Sequence, residues 1–201
     1  MELQTVSDVR EFFRDALHRA LGHQHLHVQE HTEHYVVNLL AMFSHTEALF
    51  EPDDSGRSRL KPLALVLAEA VAEPDSRQRY RLLQRLGDVA LFIAGFLAGG
   101  FARKPVDVDY HVAMGGRAYG TLAQAPGHGG QRVLGGVFAE LAQNFQPLVD
   151  ALNEIGEGAA RNSPLDVLRL YEVWQKTGSP RAHRQLLDLG IRPVAGGAAR
   201  H

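Results

Sequence analysis

The chain contains no cysteine. Disulfides, thiolate metal centres and cysteine nucleophiles are therefore excluded, and the composition is compatible with a reducing compartment. Charge of one sign is also scarce: 21 Lys and Arg face 23 Asp and Glu, giving a net charge of -2. That leaves no basic excess to neutralise a phosphate backbone, so the expectation is no nucleic-acid partner. Long apolar runs are missing as well. The longest, VALFIAGFLAGGF from Val89 to Phe101, has 13 residues, whereas a bilayer-spanning helix needs roughly 20. The start, MELQTVSDVREFF, carries acidic residues where a signal peptide would be positive and apolar, so the expectation is a cytoplasmic protein with no membrane span.

The 201 residues, 45% apolar and 22% charged, have ordinary globular composition. Apart from His23 to Val28, no stretch alternates in strand fashion between turn signals. The pattern predicts one compact all-α domain of about eight helices over residues 1–192, without a substantial sheet, followed by a frayed tail over residues 193–201, PVAGGAARH. The first helix has Ser7 as N-cap and Gly22 as its stop. A second presents Tyr35, Val36, Leu39, Leu40 and Phe43 on one face. EPDDSGRSR is a polar loop, and Pro62 opens a third helix, LALVLAEAVA, apolar nearly all round and so expected to be buried on most sides. If exposed, it could supply a face for self-association.

A fourth helix, capped by Asp75 or Ser76, runs through RQRYRLLQRLGDVALFIAGF. Small residues recur along its second half at Gly87, Ala90, Ala94, Gly95 and Ala98. Helical glycine costs roughly 1 kcal/mol relative to alanine, so something should lie close to that face. A neighbouring helix is the expected occupant and a ligand the alternative. A fifth helix from about Asp107 turns Tyr110, Ala113, Met114, Ala118 and Leu122 inward. A sixth carries Leu134, Val137, Phe138, Leu141, Phe145, Leu148, Val149, Leu152 and Ile155, and Pro147 should kink or split it at Gln146. Two short helices then follow Ser163-Pro164 and Ser179-Pro180. The last offers Arg181, His183, Arg184 and Gln185, but without a basic field a DNA-reading role is not expected.

Four groups of residues could carry chemistry. GHQHLHVQEHTEH, from Gly22 to His34, holds five of the eleven histidines and the string H-x-x-E-H. On a continuous helix, His27, His31 and His34 would share a face and could ligate a transition metal. The glycine and the alternation of Leu26 and Val28 instead favour an extended connector, which removes the helical spacing a zinc-peptidase motif requires. Asp107 and His111 are one turn apart, as in an acid-imidazole pair, yet carboxylates at a helix start are expected as caps. Asp88, in the apolar half of the fourth helix, needs a partner, with Arg85 or Arg81 the expected one. Gly115-Gly116 belongs to no phosphate loop and should serve close packing. A small-ligand pocket, if present, would be lined by the small face of the fourth helix with Asp88, Tyr110, His111 and Tyr119 as its polar groups.

LGDVALFIAGF followed by VDVDYHVAMGGRAYGTLA resembles the core of a family of uncharacterised all-helical bacterial proteins. The resemblance covers Leu86 to Ala123. It implies that the fourth and fifth helices form the structural centre, and it carries no activity; in the proteins it resembles, the region ahead is not histidine-rich, which implies no metal role for that segment. No cofactor is favoured. The leading expectation is a non-catalytic protein acting through protein partners or self-association, ahead of a small apolar-ligand domain and a histidine-dependent metalloprotein.

Overall fold

The computed structural model describes residues 3–44, 46–52, 58–98, 107–125 and 130–162. The chain divides into two compact units, Met1–Glu157 and Gly158–His201. Of the second, residues 158–162 are described and are helical. The two expected C-terminal helices and the tail lie outside the described residues.

The first unit is all-α, apart from a two-residue antiparallel pairing of Glu51–Pro52 with Ser58–Arg59. Its helices are α1 (Leu3–His23), α2 (Glu30–Phe43), the single turn α3 (Thr46–Leu49), α4 (Leu63–Ala72), α5 (Ser76–Leu91), α6 (Val108–Ala123), α7 (Gly130–Gln143) and α8 (Phe145–Asn162). The expected third, fourth and fifth helices are therefore α4, α5 and α6. Among the described residues α5 packs extensively on α6, with α7 against α6, α4 against α5, and α1 against α2.

Capping sets several of these boundaries. Asp75 accepts from the backbone N–H of Arg77 and Gln78, both at 2.8 Å. Those bonds, led by that from Gln78, hold its carboxyl below the usual range. Asp107 accepts from Tyr110 N–H at 3.0 Å. α5 then continues into a π-helical stretch, Phe92–Leu97, in which Ala98 N–H reaches Ile93 C=O at 3.0 Å. The wider turn brings the Phe96 carbonyl directly against the backbone of Gly156 on α8.

Three features differ from the sequence expectation, two in boundaries and one in burial. α1 starts at Leu3, so Ser7 lies inside it, and it runs through Gly22. The stop is His25, at φ 51, with Leu26 N–H bonded to Leu21 C=O and His25 N–H to Gly22 C=O. These are the two bonds of a Schellman ending, with histidine in the left-handed position usually given to glycine. The long sixth pattern splits at Asn144 rather than Gln146. Pro147 then falls in the first turn of α8, where its missing N–H costs nothing.

α4 is the third difference. Leu63, Val66 and Ala70 are buried, but Ala64, Leu65, Ala68, Val71 and Ala72 are exposed, Leu65 by 54% and Val71 by 76%. The helix packs on α5 at the edge of the unit, so one apolar face is covered and the opposite one is not. Among the described residues no helix is long and apolar enough to cross a membrane.

Candidate functional site

The described chemistry concentrates on Asp88, 7% exposed in the apolar stretch of α5. A buried carboxylate requires hydrogen-bond donors. They come from two phenols: Tyr35 O–H of α2 donates to Oδ1 at 2.6 Å and Tyr119 O–H of α6 donates to the same oxygen at 2.7 Å. Gln84 Nε2 in turn donates to the Tyr35 oxygen at 3.0 Å. One chain of hydrogen bonds thus joins α2, α5 and α6.

The expected guanidinium partner plays a smaller part. Arg85 donates to the carbonyls of Ala48 and Leu49 at 3.1 and 3.3 Å, and its charge is the last of the three influences that lower the Asp88 pKa, after the two phenol bonds. Burial outweighs all three and pushes the carboxyl up to about 6. Tyr35 and Tyr119 are both raised, first by burial, then by the neighbouring Asp88 charge. The phenols therefore stay protonated at neutral pH and serve as donors.

Phe138 of α7, fully buried, anchors the rings of this network. Tyr119 stacks on it at 5.5 Å, while Tyr35 and Tyr80 meet it edge-on at 5.6 and 6.0 Å. The aromatic carbon is packed and the hydroxyls of Tyr35 and Tyr119 are spent on Asp88, an arrangement that binds helices together.

Of the four polar groups expected around a ligand, Asp88 and Tyr119 meet. Tyr110 and His111 do not join them. They lie at the start of α6, about 13 Å along the helix from Tyr119. Tyr110 is 38% exposed, and His111 Nδ1 sits 2.7 Å from the Asp107 backbone carbonyl rather than its carboxylate. Asp107 is a cap, and no acid-imidazole pair forms there. Tyr35 and Gln84 were not anticipated as members of the network; the signal was a phenol on the otherwise apolar face of α2.

The small-residue face of α5 is occupied by side chains. A Cβ on Gly87 would lie 2.5 Å from the Tyr119 ring, one on Gly95 2.7 Å from Leu152, and one on Gly115 2.8 Å from Ala90 and closer still to Phe145. These glycines let rings and helices approach. Between α4 and α5, among Leu49, Leu63, Val66 and Leu86, there is a cavity of about 10 Å³, room for roughly one water.

The histidines are spread over three conformations. His23 ends α1, with Nδ1 2.6 Å from Glu154 Oε1 of α8. His25 holds the left-handed turn and His27 lies exposed in the connector, while Leu26 and Val28 are half-buried. His31 and His34 are exposed on α2. The string H-x-x-E-H crosses the start of α2, so its two histidines are not one helical turn apart. Among the described residues, no three His, Asp or Glu side chains are placed to hold a metal ion. The connector is tied down by Glu140 of α7, which accepts Gln29 N–H with both oxygens, at 3.1 and 3.0 Å.

No protein-family model, curated protein or solved structure matches this chain.

Proposed function

We propose that the chain is a non-catalytic helical domain of the cytoplasm that works by protein–protein contact, with the exposed face of α4 as its contact surface. The observation that carries this reading is that face: five apolar side chains, Leu65 and Val71 foremost, lie on the outside of a ten-residue helix whose one charged residue is Glu69. A contiguous apolar patch marks an interaction surface. The polar network supports the same reading, because the hydroxyls of Tyr35 and Tyr119 and Oδ1 of Asp88 are consumed in holding three helices together.

The test is a photo-reactive amino acid at position 71, compared with one at Arg14, exposed on α1, in cells producing the chain. A discrete covalent adduct at position 71, absent at position 14, is expected. Equal or absent labelling at the two positions contradicts the reading.

A further inference from the structure

Two incompletely compensated polar groups lie at the start of α2. One is Asp88, whose described hydrogen bonds come from two neutral phenols, both ending on Oδ1. The other is Thr32, 1% exposed and one turn ahead of Tyr35, whose Oγ1 has no hydrogen-bond partner among the described residues. An ionised carboxylate held by neutral donors and a buried hydroxyl held by none are both more favourable in water.

The packing of α2 says where water can enter. Tyr35 is half-buried, whereas Tyr119 is fully buried and stacked on Phe138. Both described side-chain hydrogen bonds between α2 and α5 use the Tyr35 hydroxyl, one to Asp88 and one from Gln84. Beyond it, Val36, Val37, Leu39, Leu40 and Phe43 are buried and fix the rest of the helix. From Glu30 to Tyr35, by contrast, Thr32 alone is buried, and His31 and His34 are exposed. Release of that segment hydrates Asp88 without unpacking the remainder of α2.

We infer that Glu30 to Tyr35 is a latch controlled by the proton on Asp88: it stays closed over the neutral carboxyl and opens more often once the carboxyl is ionised, giving water to Asp88 and Thr32. The groups that face Asp88 are Tyr35 from α2, Tyr119 from α6 and the Arg85 charge along α5; Tyr80 bears on Tyr35, and α7 presents the Phe138 ring to both phenols. Burial and the Asp88 charge keep both phenols protonated at neutral pH, and arginine stays charged. Asp88 is the member that changes. Burial raises its carboxyl from the ordinary 3.8 to about 6, so the closed latch binds the proton more tightly than the open one. Closure is strongest below the ordinary value and weakens as pH rises towards 6.

Two other titratable contacts touch the segment: His18 lies 3.6 Å from Glu33, and Glu140 accepts Gln29 N–H. Asp88→Asn leaves both in place, so their pH dependence is common to parent and variant. Amide hydrogen exchange of the intact chain, read by NMR at about pH 4.5 and about pH 7 and corrected for the intrinsic rate, separates them. The amides of His34, Tyr35 and Val36 bond back to carbonyls of the segment, while those of Tyr119 and Leu122 report the core of α6. The parent should lose at least about fivefold in protection at the first three on going to neutral pH and remain less protected there than at α6, and Asp88→Asn should show no such step. A parent without the step, an equal step in Asp88→Asn, or one common protection for α2 and α6 at neutral pH each overturns the latch, the last because the whole unit then opens at once. Should Asp88→Asn fail to fold, Glu33→Gln removes the His18 contact from the half-exposed flank of α2; the step must survive that substitution, and its loss also overturns the proposal.

Discussion

Asp88 decides the balance of terms at the residue scale. A charge taken out of water is costly unless it is hydrogen-bonded, and here two phenols stabilise the carboxylate without fully offsetting burial. Its folded-state pKa of about 6 lies above the ordinary 3.8. The folded state therefore holds more protons than the unfolded state between those values, and stability falls as pH rises through that window. The difference is on the order of 3 kcal/mol between pH 4 and 7. Asp88→Asn keeps an oxygen for both phenols and removes the charge. Urea unfolding at the two pH values should show the parent losing about that much relative to Asp88→Asn on going to neutral pH; parallel behaviour of the two proteins would refute a charged, desolvated Asp88. Gly156 is the second sensitive residue. An added methyl meets the Phe96 carbonyl, which is backbone and cannot swing aside, so Gly156→Ala should destabilise by about 3 kcal/mol in the same assay.

At the scale of elements, the end of α1 distinguishes two accounts of one glycine. If Gly22 were the stop, alanine there would be strained. Because it is helical, with open space where its Cβ would be, Gly22→Ala should stabilise by about 0.5–1 kcal/mol. His25→Gly should also stabilise, by about 1 kcal/mol, since histidine at φ 51 carries a left-handed penalty that glycine avoids. Thermal melts of the two variants check both, and a lowered Tm for Gly22→Ala would restore glycine as the stop. The local features of the fold were legible: the apolar spacing of α2 and α5, the caps at Asp75 and Asp107, and a break near Pro147; on α6, Ala118 and Leu122 turn inward as expected, but Tyr110 and Ala113 are exposed. What local pattern does not encode is competition and distance. Gly22 and His25 are both within reach of an ending, and tertiary packing selects between them. Tyr35 is 53 residues from Asp88, so periodicity alone could not pair them, and an apolar decapeptide reads alike whether it lies at the centre of a bundle or at its edge.

At the scale of the first unit, among the described residues, one polar network is buried between helices and one apolar helix face is left exposed. Asp88, Tyr35 and Tyr119 join α2, α5 and α6, the glycines of α5 and α6 admit rings rather than ligand, and α4 keeps its outer face in water. With a net charge of -2 over 201 residues, little electrostatic repulsion opposes association. Because the chain has no native cysteine, Val71→Cys would carry a unique thiol on the α4 face, and its labelling by a maleimide measures most directly whether that face is free in the isolated chain and covered on association. The account predicts labelling near the rate of a free thiol in the purified chain and at least several-fold slower labelling, relative to Arg14→Cys, in cells where a partner covers the face. A relative rate that is the same in both settings contradicts it.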